Sequence, residues 1–268
     1  MLEVIDKGSS TESHPVPLLF VHGASIAAWC WDEHFLDFFA DKGYRAVALS
    51  LRGHGASTLS KPLNSCSLAD YVDDVHAVVV KLGVAPVLVG HSLGCWVVLN
   101  YLATHGAPAG VLMAPGTPQG MRRWIFRTIL RHPWSVLRAY ISGNPAGLFN
   151  TPASAREFIF SARTPDSIVT SCAARLEPES TRVGREIVNR LPDAGLVTAP
   201  MLVLGANDDG MRIDGDVSAL ARLYQTDAEI FPDMGHVMML EPGWQTVAER
   251  IDGWLGAQGL QEQIAEMP

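Results

Sequence analysis

Short apolar runs alternate with segments of helical periodicity along most of this 268-residue chain. The runs are apolar at successive positions, which is typical of parallel strands covered by helices on both faces. Such alternation of strand and helix predicts βαβ crossovers and a mostly parallel β-sheet flanked by helices, the α/β class. The predicted strands cover residues 17–21, 45–51, 86–90, 109–115, 199–205 and 227–232.

Three helices of the predicted core are marked by their periodicity and their ends. Apolar residues recur at three- and four-residue steps from Leu68 to Val79, after a capping residue at Ser67. The segment that follows the third strand ends at Gly106, a residue type common just beyond helix C-termini. Residues 241–256 form the last predicted helix.

The region from about Gly116 to Ala194 interrupts this alternation, because it contains no convincing strand. Its proline and threonine residues are typical of helix starts instead. Pro133, Pro152 and Pro165 fit first helical positions, and Thr151 and Thr164 fit N-caps. We therefore expect a core domain in two parts, residues 1–115 and 196–268, with an inserted helical lid over residues 116–195.

Composition narrows the range of partners. The net charge of −8 and the absence of any block of like charge give no indication of nucleic-acid binding. No apolar run reaches the length of a membrane span, and the N-terminus lacks a signal-peptide pattern. The four cysteines show neither CxxC pairing nor metal-ligand spacing. We expect a cytoplasmic protein that uses no metal or organic cofactor.

The stretch GHSLG, residues 90–94, is the strongest candidate for chemistry. A G-x-S-x-G pattern between an apolar strand and a helix is typical of a nucleophile elbow, in which a tight turn exposes the serine hydroxyl. Gly90 and Gly94 would allow the close approach of neighbouring backbone segments that this turn requires. The pattern alone also fits an ordinary glycine-flanked turn, but its position makes Ser92 the predicted nucleophile.

A serine nucleophile needs a base and an orienting carboxylate, and both candidates follow later strands. Asp208 and Asp209 come directly after the 199–205 strand, and of the pair Asp208 is the preferred acid. His236 follows Gly235 in the loop between the last strand and the last helix, and is the predicted base. The alternatives are an Asx-turn role for the aspartates and a solvent-exposed loop histidine.

Two backbone N–H groups could stabilise the oxyanion that such a reaction forms. Leu93 directly follows the predicted nucleophile. The second donor would come from the loop after the first long strand, VHGAS, in which Gly23 would allow the Ala24 N–H to point inward. The sequence therefore predicts Ala24 and Leu93 as the oxyanion hole.

Taken in chain order, HGAS, RGHG, GHSLG, GANDD and DMGH resemble the α/β-hydrolase superfamily over about residues 18–255. The resemblance implies the α/β-hydrolase fold, with Ser92 as nucleophile, Asp208 as acid and His236 as base, in the superfamily's serine–acid–histidine order. HGASIAAWCWDEHF also resembles the methylesterase and hydroxynitrile lyase group, and RGHG resembles bacterial esterases and cofactor-free haloperoxidases. The superfamily has two antiparallel strands before the HG strand, whereas here only LEVID fits one.

The lid sequence bears on the substrate. In GMRRWIFRTILRHPW, Met121, Trp124, Ile125, Thr128 and Ile129 share one predicted helix face, which could roof the site or pack on the core. Trp124 and Phe126, together with Val237 beside His236, are the predicted substrate contacts. The arginines at 123, 127 and 131 fit either a solvated face or a clamp for an anionic substrate.

These observations predict a serine hydrolase that cleaves carboxylic esters of a hydrophobic small molecule through an acyl-enzyme. The same residues could serve carbon–carbon bond hydrolysis, hydroxynitrile cleavage, perhydrolase or haloperoxidase-like chemistry, or thioester hydrolysis. A non-catalytic ligand receptor is a further alternative, which an intact triad disfavours. The substrate and the oligomeric state stay open at this point.

Overall fold

A seven-stranded sheet forms the centre of the computed structural model, which describes residues 1–143, 145–213 and 215–260. The strands are β1 (Val4–Lys7), β2 (Leu18–Val21), β3 (Ala46–Leu49), β4 (Val87–His91), β5 (Gly110–Met113), β6 (Met201–Ala206) and β7 (Ala228–Phe231). Strand β1 pairs antiparallel with β3, and all other neighbours are parallel, in the order β1-β3-β2-β4-β5-β6-β7. The predicted mostly parallel α/β sheet is confirmed.

Burial along the strands follows their place in the sheet. Every residue of the central strands β2 to β6 is buried, as the apolar runs predict, whereas the edge strand β1 alternates between exposed and half-buried positions. Side chains of one strand alternate between two cores. Leu18 and Phe20 of β2 pack in one core, and Leu19 and Val21 pack in the other.

Helices cover both faces of this sheet. The core helices are α1 (Trp29–Asp32), α2 (Phe35–Asp41), α3 (Leu68–Leu82), α4 (Leu93–Thr104), α10 (Asp216–Leu223) and α11 (Trp244–Ala257). The core with Leu18 and Phe20 includes residues of α1, α2 and α11, and the other core includes residues of α3, α4 and α10. Of the described helices, none combines the length and the apolar composition needed to cross a bilayer.

Between β5 and β6, residues 114–200 form a helical insertion, in which the described residues include helices but no strand. Its α-helices are α5 (Pro118–Arg131), α6 (Pro133–Ser142), α7 (Pro152–Ile159), α8 (Asp166–Ala174) and α9 (Thr181–Ile187). Pro133 and Pro152 open α6 and α7, and the Thr151 side chain accepts from the Ser154 N–H as an N-cap. The division into lid and core at residues 116 and 195 stays a prediction.

The expected start of α8 is wrong by one residue. Pro165 occupies the N-cap position and the helix begins at Asp166. The Thr164 hydroxyl is directed to the segment before α11 instead, where it donates a hydrogen bond of 2.8 Å to Glu241 Oε2. Glu241 is fully buried and also accepts from the Ser161 N–H and hydroxyl, so it ties this part of the insertion to the segment before α11.

Candidate active site

Ser92 lies in a sharp turn between β4 and α4. Its backbone angles, φ 50° and ψ −116°, fall in a region that costs a non-glycine residue about 1–3 kcal/mol. A Cβ at Gly94 would clash with the carbonyl oxygen of Val21, and one at Gly90 would lie 2.6 Å from the carbonyl oxygen of Gly94. The two glycines therefore allow α4 to start directly against β2 and β4, with Ser92 partly exposed at the C-terminal end of β4.

His236 links Ser92 to a carboxylate. Its Nε2 lies 2.8 Å from Ser92 Oγ, and its Nδ1 lies 2.7 Å from Asp209 Oδ2. Because a carboxylate only accepts hydrogen bonds, Nδ1 carries the proton and Nε2 accepts from the serine hydroxyl. The side chains of His236 and Asp209 are 8% and 5% exposed, so water competes little for this contact. The geometry permits proton transfer from Ser92 to His236.

The preference for Asp208 over Asp209 is corrected by this geometry. The Asp208 N–H donates to the Met234 carbonyl oxygen at 2.9 Å, and its side chain is exposed, with Oδ1 accepting from the Asn207 amide at 3.3 Å. The turn that this backbone bond fixes directs the next side chain, that of Asp209, to His236. Asp209 Oδ1 also accepts from the Met211 N–H at 2.8 Å.

His91 supports the loop that carries His236. Its ring is buried beneath that of His236, with centroids 4.9 Å apart, and its Nε2 donates to the His236 carbonyl oxygen at 2.9 Å. Burial, and next the neighbouring His236, hold the pKa of His91 well below its ordinary value. The ring is therefore neutral and can donate this hydrogen bond from one nitrogen only.

The loop after β2 packs against the nucleophile turn. A Cβ at Gly23 would lie 2.7 Å from His91 Nδ1 and 3.0 Å from Ser92 Cβ, so only glycine fits there. In the described part of the chain, neither the Ala24 N–H nor the Leu93 N–H donates to another protein group. Both predicted donors are thus available next to Ser92, and their role as an oxyanion hole stays a proposal.

A segment of the helical insertion holds this loop in place. The Glu177 N–H donates to the Ser25 carbonyl oxygen at 2.8 Å, and the Ser25 N–H lies 3.4 Å from Glu179 Oε2. Ser25 itself has a positive φ of 64°. The conformation of residues 23–25 therefore depends on contacts from a part of the chain about 150 residues away.

Glu179 belongs to a buried polar cluster that the sequence did not indicate. Its Oε1 accepts from the Tyr71 hydroxyl and from the Ser180 N–H, each at 2.6 Å, and His54 Nε2 lies 3.3 Å from Oε2. Burial lowers the pKa of His54, but the Glu179 carboxylate outweighs it and the net change is upward. Burial alone would raise the pKa of Glu179, yet His54 and the other donors lower it.

We expect Glu179→Gln to lower the free energy of unfolding by about 3 kcal/mol, because it leaves the His54 charge buried without a counter-charge. Glu177→Gln, the matched control two residues away, should cost less than about 1 kcal/mol, because among the described residues the Glu177 side chain accepts a hydrogen bond only from the Gly55 N–H, at an exposed site. Urea unfolding of both variants measures the difference.

The pH dependence of this loss has a defined sign. The raised pKa of His54 contributes stability that is complete below its ordinary value of 6.5 and is lost as the pH rises through the raised value. The lowered pKa of Glu179 contributes above 4.5 and is lost as the pH falls through the lowered value. Glu179→Gln should therefore cost more at about pH 6 than at about pH 8.5. A cost independent of pH would show that His54 is not charged in the wild type.

The three predicted substrate contacts lie in different surroundings. Trp124 is buried, stacks near Phe149 and donates its indole N–H to the Gly210 carbonyl oxygen at 3.2 Å, next to Asp209. Val237 is buried beside His236, and its N–H donates to the Ile159 carbonyl oxygen. Phe126 is 65% exposed, because two helix positions place it about 200° around α5 from Trp124. Phe126 thus lies on the opposite side of α5 from Trp124, and the three substrate contacts stay predictions.

The arginines of α5 divide between structural and solvent-facing positions. Arg127 donates to the Gly210 carbonyl oxygen at 3.0 Å, so it helps Trp124 to fix the loop that carries Asp209. Arg127, Arg131 and Arg212 line an open cleft of about 260 Å³ on the side of Asp209, together with Glu157 and His132. Arg123 lines a different cleft. Arg123, Arg127 and Arg131 thus do not converge as one anion clamp.

Comparison with known proteins gives one family over most of the chain. A family model described as the alpha/beta hydrolase family matches residues 18–250. A non-heme haloperoxidase of Rhodococcus erythropolis is 39% identical over 92 residues, 34% of this chain and 32% of the relative. The bifunctional esterase/perhydrolase DCH of Acinetobacter calcoaceticus is 31% identical over 145 residues, 49% of this chain and 51% of the relative. The aligned regions thus span about half or less of these curated relatives.

A solved structure extends the similarity in fold to nearly the whole chain. The putative non-heme bromoperoxidase BpoC of Mycobacterium tuberculosis H37Rv superposes with a TM-score of 0.73 at 21% identity, covering 96% of each chain. At that identity the similarity concerns the fold. Strand order, turn geometry and the family match agree on the C-terminal edge of the sheet, where Ser92 lies, as the candidate active site.

Proposed function

Because this chain belongs to the alpha/beta hydrolase family, we propose that it is a serine hydrolase that cleaves carboxylic esters of hydrophobic small molecules. The observation that carries the proposal is the unbroken contact from Asp209 Oδ2 through His236 to Ser92 Oγ, with distances of 2.7 and 2.8 Å. A serine held in this way at a nucleophile turn is the arrangement that acyl transfer requires.

In the proposed reaction Ser92 Oγ attacks the ester carbonyl and its proton passes to His236 Nε2. The negative charge that develops on the carbonyl oxygen is stabilised by the Leu93 and Ala24 N–H groups. Asp209 accepts the Nδ1–H bond and stabilises the imidazolium. His236 then protonates the leaving alcohol, and a water molecule, deprotonated by His236, releases the acid and restores Ser92. These steps use protein groups and water alone.

Apolar side chains around the site favour a hydrophobic acyl or alcohol group. Trp124 and Phe158 lie on the insertion next to the Asp209 loop, and Val237 adjoins the base. We propose that the insertion acts as a lid whose inner face, including Trp124, meets the substrate.

We expect a fluorophosphonate probe to label the protein at one serine, Ser92, located by mass spectrometry of the labelled peptide. A panel of p-nitrophenyl esters of increasing acyl length should show hydrolysis, with kcat/KM rising with chain length until the site is filled. Ser25, which is buried within the predicted oxyanion loop, serves as the internal control and should stay unlabelled. Labelling of Ser92 without turnover of any ester would reject ester hydrolysis, but the assignment of Ser92 as the nucleophile would stand.

Perhydrolysis is a second candidate, which the haloperoxidase and esterase/perhydrolase relatives favour. Hydrogen peroxide would take the place of water at the acyl-enzyme, so that the peracid leaves and the proton returns to Ser92 through His236. Adding peroxide to an ester reaction should then yield a peracid, detected by its oxidation of iodide. The absence of peracid during rapid ester turnover would reject this activity alone.

A further inference from the structure

Helices α5 and α6 expose a large apolar surface. Eight of the fifteen exposed large apolar side chains in the described part of the chain lie on these two consecutive helices, with exposures from 37% to 84%. Soluble proteins rarely concentrate exposed apolar groups in this way without a partner. We call this surface the outer α5–α6 face, made of Ile125, Phe126, Ile129, Leu130, Trp134, Leu137, Tyr140 and Ile141.

The face is distinct from the side of α5 that packs on the protein. Trp124 and Thr128, one turn apart, are buried against the rest of the chain. Ile125 and Ile129 form one outward row, and Phe126 and Leu130 form the next, as the four-residue spacing of a helix requires. On α6, Trp134, Leu137 and Ile141 line a shallow groove open to solvent. The outer side chains therefore leave between 37% and 84% of their surface uncovered by the fold.

The charge of this region is opposite to that of the chain. Residues 118–142 contain five arginines and no aspartate or glutamate, although the whole protein carries a net charge of −8. Arg122 and Arg127 donate to backbone carbonyl groups, and Arg123, Arg131 and Arg138 make no ion pair with a described residue. An apolar surface bordered by arginines, with Trp134 and Tyr140 exposed, has the composition of an interfacial membrane-binding element.

We propose that the outer α5–α6 face docks on the surface of an anionic lipid membrane. The apolar side chains would enter the boundary between headgroups and acyl chains, and the arginines would contact lipid phosphates while their aliphatic stems lie along the apolar layer. The two helices would lie in the plane of the interface, a mode that requires no membrane-spanning segment. The proposal is independent of the reaction that Ser92 performs.

A second copy of the chain fits this face less well than a lipid surface. In a two-fold dimer the same patch meets itself, so the arginines of one copy would face those of the other. A contact between this face and an acidic face elsewhere on another copy would be head-to-tail and would tend to propagate into a ring or a fibre. An anionic membrane complements both the apolar groups and the charge.

The test is binding to vesicles, measured by cosedimentation with phosphatidylcholine–phosphatidylglycerol and with phosphatidylcholine alone. The wild type should bind the anionic vesicles, and the affinity should fall at high salt. Leu130→Glu/Ile141→Glu should weaken binding more than about tenfold, because it removes two inserted groups and adds two negative charges. Arg123→Gln/Arg138→Gln should weaken binding to the anionic vesicles about 30-fold, since each arginine near the surface contributes about 1 kcal/mol and about 1.4 kcal/mol corresponds to a tenfold change.

A matched control is Val80→Glu/Leu196→Glu, which adds the same charge at residues of similar exposure outside the face. Val80 and Leu196 are 64% and 59% exposed, against 67% and 75% for Leu130 and Ile141. The control should bind vesicles within about twofold of the wild type, and thermal unfolding should confirm that all variants fold.

Equal binding of the control and the Leu130→Glu/Ile141→Glu variant would overturn the proposal, as would a wild type that binds neither vesicle. Light scattering tests whether a second copy of the chain occupies the face instead of a membrane. If the wild type is a dimer that this double variant dissociates, and vesicles are not bound, then a second copy covers the face and the proposal is wrong.

Discussion

Asp209→Asn is expected to lower kcat/KM for ester hydrolysis about 10⁴-fold, whereas Asp208→Asn should change it less than about threefold. Asp209 Oδ2 is the atom that contacts His236 Nδ1, at 2.7 Å. An asparagine that places its amide N–H there forces the proton of the imidazole onto Nε2. His236 then cannot accept the proton of Ser92, although every other group keeps its position.

The two aspartates form a matched pair, because each substitution removes one negative charge from adjacent residues of one loop. Long-range electrostatic effects on the site are therefore nearly equal, and a difference in rate reports the contact with His236. The asparagine of the Asp209→Asn variant can still accept from the Met211 N–H, as Asp209 Oδ1 does at 2.8 Å, so the loop should keep its fold. A larger loss for Asp208→Asn, or equal losses, would assign the acid differently.

Much of the site could be predicted because its residues follow strand ends. Parallel strands place their C-terminal ends at one edge of the sheet. Residues that follow β2, β4, β6 and β7 therefore meet there, regardless of the loop conformations. The G-x-S-x-G pattern located Ser92, and the single histidine in the last loop located His236. Both conclusions needed only the strand order and the position of each residue after a strand.

The choice within the aspartate pair could not be made in the same way. Asp208 and Asp209 follow the same strand, and neighbours in a turn differ only in direction. That direction depends on the hydrogen bond from the Asp208 N–H to the carbonyl oxygen of Met234, 26 residues later. Thr164 shows the same limit, because its side chain is directed to Glu241, to which its hydroxyl donates although the two residues are 77 positions apart. Local sequence patterns do not indicate hydrogen-bond partners that lie so far away along the chain.

Too many apolar residues were predicted to share the inward face of α5, for a related reason. Met121, Trp124 and Thr128 do point toward the protein, but Ile125 and Ile129 are 37% and 42% exposed. Periodicity shows where apolar residues lie on a helix, and it does not show which of them the neighbouring elements cover. The remaining apolar residues of α5 are those that the proposed membrane contact would use.

Ser92→Ala should reduce ester hydrolysis about 10⁵–10⁶-fold, the largest effect of any single change considered for this site. The alanine removes the attacking oxygen and leaves the Ala24 and Leu93 N–H groups in place, so the residual rate would come from binding and oxyanion stabilisation alone. Fluorophosphonate labelling should disappear in parallel. If activity falls by less than about tenfold and labelling persists, another group is the nucleophile.

The stability of this variant separates a catalytic role from a structural one. Alanine keeps the Cβ and the φ of 50°, and loses one hydrogen bond to His236, so the free energy of unfolding should change by about 1 kcal/mol or less. Ser92→Gly should be equally inactive but more stable than Ser92→Ala by about 1 kcal/mol, because glycine relieves a strain of about 1–3 kcal/mol and gives back about 0.5–1 kcal/mol in the unfolded chain. Urea unfolding of the two variants measures this difference, and a less stable glycine variant would mean that the turn is not strained.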